Sequence, residues 1–181
     1  MKTYIISDLH FNHKNIIRID NRPFEDIGQM NDRIINNWNK VVQSDDTVII
    51  AGDFCFGGIN DWKYFLNKLK GKKILVLGNH DNEKKIPKEC FVQITHILKY
   101  KYKEVYFNIC HYPIMSWDGM FHNTIHCFGH IHAGKNDFEN LTLPNSFNVG
   151  CMLHNYTPIC LDEIINKQLN FIDECKKRGL L

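Results

Sequence analysis

Short apolar runs alternate with amphipathic segments along the first half of the chain. The runs at residues 3–7, 47–51 and 73–77 have the nearly continuous apolar character of strands buried on both faces of a sheet. Between them, apolar residues recur at three- and four-residue spacing over residues 30–42 and 59–69, which predicts two amphipathic helices. This alternation predicts parallel βαβ units, whose functional sites lie at the carboxyl ends of the strands.

The second half of the chain has a different pattern. Residues 91–98, 100–110, 124–128 and 146–149 form strand-like runs separated by turns, which predicts a second, mainly antiparallel sheet. Residues 161–177 then show the periodicity of a final amphipathic helix. The whole pattern is typical of an α/β protein with two sheets and flanking helices.

Composition limits the domain count and the class of partner. A chain of 181 residues without an internal repeat or linker is expected to form one domain over residues 1–181. Hydrophobic content of 44% and charged content of 23% are typical of a soluble globular protein. The 22 basic and 20 acidic residues give a net charge of +2, so we expect no general attraction to nucleic acid or membrane surfaces.

The cysteines and the amino terminus bear on the cellular compartment. The cysteines are odd in number, show no C-x-x-C spacing and lie mostly in apolar runs, so we expect reduced, buried thiols at Cys55, Cys90, Cys110, Cys127, Cys151, Cys160 and Cys175. The first predicted strand begins near residue 3, which leaves no room for a signal peptide. No apolar stretch approaches the roughly 20 residues of a membrane span. We therefore expect a cytoplasmic protein with no membrane partner.

Five polar clusters follow apolar runs and contain residues that bind metal ions. They are Asp8-Leu9-His10, Gly52-Asp53, Gly78-Asn79-His80-Asp81, Cys110-His111-Tyr112-Pro113 and Gly129-His130-Ile131-His132. Their carboxylate, amide and imidazole groups favour Mn²⁺, Fe, Zn²⁺, Ni²⁺ or Co²⁺ in an open catalytic site over a structural zinc site built from thiolates. Because a pair of such ions needs about seven or eight protein ligands, the clusters predict a two-metal hydrolase site.

These clusters resemble the calcineurin-like metallophosphoesterase signature D-x-H, G-D, G-N-H-D, H and G-H-x-H, over the span from Asp8 to His132. The resemblance implies a small, single-domain, phosphodiesterase-like member with a four-layer α-β-β-α sandwich of two mixed sheets flanked by helices. It also implies two divalent ions, with Mn²⁺ expected and Fe, Zn, Ni or Co as alternatives. One ion would be held by Asp8, His10, Asp53 and His132, and the other by Asp53, Asn79, His111 and His130. Asp53 would bridge the two.

The same resemblance implies a reaction. A hydroxide that bridges the metals would attack phosphorus in line with the leaving oxygen, and the ions would neutralise the charge of the transition state. His80, which follows a ligand without being one, is expected to protonate the leaving group. Asp81 is expected to hydrogen-bond the other ring nitrogen of His80 and to raise its pKa.

Residues outside the five clusters are candidates for substrate contact. His13 and Arg22 lie on the polar stretch 11–28, which we expect to be an irregular loop; His13 is a candidate to touch substrate, and Arg22, like Arg18 on the same loop, is a candidate to hold a phosphate. Trp117 and His122 lie between His111 and His130, in a segment expected to pass over the site. These four residues are the predicted substrate-binding set.

The sequence leaves several functions open. A phosphodiesterase acting on a small diester or nucleotide is the leading interpretation, because the five clusters contain no Arg or Lys to hold the extra charge of a monoester. A nuclease acting on short or single-stranded nucleic acid, and a phosphomonoesterase with loop arginines in its pocket, are alternatives. A non-catalytic scaffold is disfavoured because every expected ligand is present. The oligomeric state is left open.

Overall fold

A computed structural model describes residues 1–122, 124–132, 143 and 145–177, with side chains described as far as residue 169. The strands in this part of the chain are β1 (Thr3–Ile6), β2 (Thr47–Ile50), β3 (Lys72–Val76), β4 (Gln93–Thr95), β5 (Ile97–Tyr102), β6 (Val105–Cys110), β7 (Ile125–Phe128), β8 (Ser146–Asn148) and β9 (Ile159–Cys160). The α-helices are α1 (Ile16–Ile19), α2 (Ile27–Val41), α3 (Ile59–Lys68) and α4 (Leu161–Lys177).

The first sheet has the strand order β4-β3-β2-β1-β9. Strands β1 to β4 are parallel, with Ile5 opposite Ile49 and Ile49 opposite Ile74, and β9 runs antiparallel to β1. The predicted parallel βαβ units are therefore confirmed. The carboxyl ends of β1, β2 and β3 meet at one edge, where they deliver the first three polar clusters.

The second sheet has the order β5-β6-β7-β8, and its predicted mainly antiparallel character is wrong. Within the described part of this sheet only the β5–β6 pair is antiparallel, while β6–β7 and β7–β8 are parallel. The long connection after β6 returns the chain to the start of β7, so both strands run the same way and end at the same edge. His111 and His130 consequently follow the strand ends that face the first sheet's clusters.

The hydrophobic core lies on both faces of the first sheet. Between the two sheets, Ile5, Val76 and Phe107 are buried in one cluster. On the other face, Trp38 of α2 and Phe65 of α3 are buried in a second cluster. Helix α4 packs against β1 and β9. The predicted α/β fold of two mixed sheets with flanking helices is confirmed.

The structure also bears on the loop, cysteine and membrane predictions. The stretch 11–28, predicted to be irregular throughout, contains the short helix α1. The six described cysteines are free, and all but Cys90 are buried; Cys175 lies outside the described side chains. None of the described helices is both long and apolar enough to cross a membrane.

Candidate metal centre

Five of the seven predicted ligands have left-handed backbone conformations. They are Asp8, His10, Asp53, His130 and His132, with φ between 50° and 69°. This conformation costs a non-glycine residue roughly 1–2 kcal/mol, and it clusters at functional sites, where the surrounding structure enforces it. The turns after β1, β2 and β7 are thus bent to aim side chains at a common point.

Two glycines allow these turns to approach one another. A Cβ atom at Gly52, whose φ is +96°, would collide with the ring of His111. A Cβ atom at Gly129 would collide with the side chains of Ser7 and Asp8. Only glycine fits such contacts, so these positions control how closely the ligand loops pack.

One group of ligands, which we call the inner subsite, consists of Asp8, His10 and His132. Each offers one ligand atom, and these atoms lie within 4.8 Å of one another. Nε2 of His132 is 3.6 Å from Oδ1 of Asp8. Asp8 and His10 are 0% and 2% exposed, so this subsite is closed to solvent on most sides.

A second group, the outer subsite, consists of Asn79, His111 and His130. Oδ1 of Asn79 lies 3.0 Å from both Nε2 of His111 and Nδ1 of His130. Nδ1 of His111 is 2.9 Å from the carbonyl oxygen of Ala51, which points Nε2 into the subsite. Asn79 and His130 are exposed, so this subsite opens to solvent.

Asp53 lies between the two subsites. Its Oδ1 accepts a hydrogen bond from the backbone N–H of His80 at 2.9 Å. Its Oδ2 is 3.5 Å from Nε2 of His10 and 3.4 Å from Nε2 of His111. Burial opposes ionisation of this carboxyl, but its interactions with His111 and His10 outweigh burial and bring its pKa to about 2. Asp53 is thus an anion with one oxygen directed at both groups.

The donor set fits divalent cations. Nε2 of His10 is buried and has no hydrogen-bond partner among the described residues. A buried polar atom without a partner is unfavourable, and this one faces Asp53 Oδ2 at a distance longer than a normal hydrogen bond. A cation between these atoms would satisfy both. Imidazole nitrogens and carboxylate or amide oxygens suit Mn²⁺, Fe, Zn²⁺, Co²⁺ and Ni²⁺.

Asp20 and Arg22 contact the residues of the inner subsite through His132 and the backbone of Asp8. Oδ2 of Asp20 lies 3.1 Å from Nδ1 of His132 and accepts from Nε of Arg22 at 2.9 Å. Arg22 also donates to the carbonyl oxygens of Asp8 and Leu9, at 2.8 and 3.2 Å. A carboxylate behind a ligand histidine fixes the ring's tautomer and orientation.

This network corrects the prediction for Arg22. The residue is only 4% exposed and its guanidinium is engaged by protein groups, so it does not face a substrate. Asp20 was missed by sequence reasoning, because it lies in a polar stretch with no periodicity and meets His132 only through the fold.

His80 and Asp81 are adjacent in sequence but have separate surroundings. Asp81 is buried, and its carboxylate accepts from the backbone N–H groups of Asp53, Phe54 and Gly78 at 2.9–3.0 Å. The predicted hydrogen bond from the His80 ring to the Asp81 carboxylate is therefore wrong. Burial raises the pKa of Asp81 to about 6, although the Gly78 amide lowers it. His80 is exposed, and its ring centroid lies 5.5 Å from that of His10.

The other predicted substrate contacts divide into two groups. His13 lies beside the centre, with Nδ1 3.3 Å from Nδ1 of His10. Trp117 is instead buried, with Nε1 donating to Thr124 Oγ1 at 3.0 Å and its ring 5.2 Å from that of His126.

His122 lies far from the centre. It lines a cavity with Val105 and Ile125, the first residues of β6 and β7, whereas the ligands follow the last residues of these strands. The predictions for Trp117 and His122 are wrong because their segment does not pass over the metal centre.

Comparisons with known proteins agree with this geometry. Residues 1–155 match the family model described as calcineurin-like phosphoesterase. The uncharacterised protein MJ1445 of Methanocaldococcus jannaschii is 36% identical over 169 residues, which cover 91% of this chain and 89% of that protein. The gene 66 protein of Mycobacterium phage L5 is 37% identical over 82 residues, covering 44% of this chain and 39% of that protein.

A solved structure has a similar fold. The protein of unknown function AQ665 from Aquifex aeolicus superposes with a TM-score of 0.75 at 28% identity. The superposition covers 91% of this chain and 98% of that chain. The similarity therefore extends over nearly the whole of both molecules.

Proposed function

The chain belongs to the calcineurin-like phosphoesterase family, whose members are metal-dependent phosphoester hydrolases, and we propose that this member is a dinuclear phosphodiesterase. Its substrate would be a small phosphodiester or a nucleotide. Mn²⁺ is the ion we expect, with Fe, Zn, Ni or Co as alternatives.

The observation that carries the proposal is the position of Asp53 Oδ2, 3.5 Å from a ligand nitrogen of the inner subsite and 3.4 Å from one of the outer subsite. An oxygen in this position suits a carboxylate shared by two cations. The inner cation would be held by Asp8, His10, Asp53 and His132. The outer cation would be held by Asp53, Asn79, His111 and His130.

In the proposed reaction, the residues of the chain would hold the metal ligands in position. When bound, two divalent ions supply Lewis-acid stabilisation of phosphoryl oxygens and acidify a water molecule. Asp20 and the Ala51 carbonyl hold two ligand imidazoles in the orientation that presents Nε2. The left-handed turns fix the ligands before substrate arrives, which limits reorganisation during the reaction.

His80 is our candidate for the proton donor to the leaving oxygen. It is exposed beside Asn79, and its backbone N–H is anchored on Asp53 Oδ1. The described residues provide no hydrogen-bond partner for its imidazole, so the ring is available to substrate. His80→Ala should retain the metals and lose two to four orders of magnitude in turnover, the usual range for a general acid.

The preference for diesters follows from where the cations of the chain lie. A monoester carries one more negative charge than a diester, and enzymes that favour it usually add cationic side chains beyond the metals. Arg22 is engaged beneath the inner subsite and does not serve this purpose. Because Arg22 is occupied and the five ligand clusters contain no Arg or Lys, the singly charged diester is the better match for the metal centre.

The test is a metal-reconstituted assay at pH 7–8. We expect a higher kcat/KM for bis-p-nitrophenyl phosphate than for p-nitrophenyl phosphate with the same ion, and loss of both activities in excess chelator. Full activity in metal-depleted protein would contradict the proposal, and a preference for the monoester would contradict its diester part.

A further inference from the structure

A cavity of about 360 Å³ adjoins the metal centre. It lies between the loop that follows β2 and the loop that follows β3, the two segments that also carry Asp53 and Asn79. Its lining residues are Cys55, Phe56, Gly57, Gly58, Trp62, His80, Asn82 and Lys85. His80 thus borders both the metal centre and the cavity, and a leaving group that receives its proton would enter this space.

Phe56 provides a fixed aromatic surface in the cavity. The residue is 51% exposed. Its ring stacks on His13 with centroids 4.4 Å apart and an interplanar angle of 16°. Its backbone N–H donates to the carbonyl of Phe11 at 2.7 Å. A ring held in this way and left exposed suits stacking against another planar ring.

Lys85 gives the cavity its charge. It is exposed and is the one formally charged side chain among the described lining residues, which include no carboxylate. The neighbouring Asp61 already accepts hydrogen bonds from Gly58 and Asn12. A Cβ atom at Gly57 would collide with the Asp61 side chain, so this glycine lets the loop pack on Asp61, whereas a Cβ atom at Gly58 would make only an ordinary contact. The cavity therefore combines space, an aromatic face and a positive charge, which suit a ring that carries an anionic group.

We propose that this cavity binds the leaving group of the substrate and that this leaving group is a nucleotide, with its base on Phe56 and its own phosphate near Lys85. The inference rests on the proposed phosphodiesterase function and specifies its substrate class. In the reaction, water oxygen forms a bond to phosphorus, the bond from phosphorus to the nucleotide oxygen breaks, and His80 protonates that oxygen. His80 then recovers a proton from solvent.

Binding of AMP and adenosine to the full chain tests this inference independently of the metals. Calorimetry in the presence of chelator would compare wild type with Phe56→Leu and Lys85→Gln. Phe56→Leu should weaken both ligands about tenfold, as expected for loss of a stacked base. Lys85→Gln should weaken AMP severalfold and leave adenosine unchanged, since only AMP carries a phosphate.

Two matched controls make the result specific. Phe121→Leu changes an exposed phenylalanine outside the cavity, and Lys88→Gln changes an exposed lysine outside it. Both should bind AMP as wild type does. Equal AMP binding by wild type, Phe56→Leu and Lys85→Gln, or equal weakening by the controls, would overturn the inference.

Hydrolysis of bis-p-nitrophenyl phosphate by the reconstituted wild-type protein separates the two claims. If hydrolysis is normal and AMP binds wild type and Phe56→Leu equally well, the cavity does not bind a nucleotide. The phosphodiesterase proposal is then unaffected. Absence of hydrolysis under every metal, with AMP binding that depends on Phe56, overturns the phosphodiesterase function and with it the leaving-group role of the cavity.

Discussion

The inner and outer subsites share Asp53 but differ in how the chain supports them. Asp8 and His10 are buried, and His132 is held from behind by Asp20, which Arg22 holds in turn. In the outer subsite His111 is buried, whereas Asn79 and His130 are exposed. One side of the centre is preorganised inside the protein, and the other side faces solvent.

This difference indicates a division of roles. A buried subsite with an ordered set of hydrogen bonds should hold its ion tightly, because little reorganisation accompanies binding. An exposed subsite should exchange its ion more readily. The ring of His80 lies beside that of His10, and Phe56 stacks on His13, which lies against His10, so the cavity at Phe56 is on the inner subsite's side of the centre.

Loss of the Asp53 carboxylate should have the largest effect on turnover, because this carboxylate lies near ligands of both subsites. Asp53→Asn withdraws negative charge from both ions, and metals contribute several kcal/mol to transition-state stabilisation, so turnover should fall by about a thousandfold or more. Metal analysis should show weaker binding of both metal ions. Asp45→Asn, an exposed change near β2, is the control. Two bound equivalents with wild-type turnover in Asp53→Asn would show that Asp53 does not bridge.

Removal of the support behind the inner subsite should reduce stability. Arg22→Met removes the buried guanidinium that donates to the Asp20 carboxylate and to the carbonyl of Asp8. Breaking a buried ion pair by removing one partner costs about 3–5 kcal/mol of unfolding free energy, which urea denaturation would measure. Arg18→Met on the exposed face of α1 should change it little. Equal stability of the two variants would mean that Arg22 is not structural.

Asp20→Asn should separate the subsites without large loss of stability. The change keeps the size of the side chain but removes the charge behind His132, and such partners usually affect metal affinity by about 10–100-fold. Titration with Mn²⁺ should therefore show one weakened equivalent and one unchanged. Asn79→Ala, which alters the outer subsite, should weaken the other. Identical effects on both equivalents in both variants would contradict the division into two subsites.

His122→Ala should have the smallest effect. The side chain lies at the opposite ends of β6 and β7 from the ligands, so kcat/KM for bis-p-nitrophenyl phosphate should stay within about twofold of wild type, as for a surface change remote from the site. The same assay on His13→Ala provides the comparison, because His13 lies beside the predicted ligand His10. A large loss in His122→Ala alone would mean that this segment reaches the centre after all.

Sequence reasoning predicted the parts of the centre that follow from local pattern. Asp8, Asp53 and Asn79 each come after a recognisable buried strand, and the carboxyl ends of parallel strands meet at one edge. The same reasoning was weaker in the second sheet. The direction of a strand there depends on where a long connection returns the chain, which periodicity does not show, and the short runs therefore predict a mainly antiparallel sheet.

The remaining errors also concern contacts between residues distant in sequence. Asp20 meets His132 across more than a hundred residues, and no local signal marks it. The sequence predicts Trp117 over the site, yet this residue packs on the outer face of the second sheet beside His126. The side chain of Asp81 accepts hydrogen bonds from the backbone amides of Asp53 and Phe54. Its position after His80 in the sequence does not indicate these partners.

The central claim is that one oxygen of Asp53 joins two cations, and anomalous diffraction from crystals loaded with Mn²⁺ tests it most directly. We predict two anomalous peaks about 3.5–4 Å apart. One peak should lie among Asp8, His10 and His132, the other among Asn79, His111 and His130, with Asp53 Oδ2 between them. A single peak under saturating Mn²⁺, or two peaks of which only one contacts Asp53, would contradict the account.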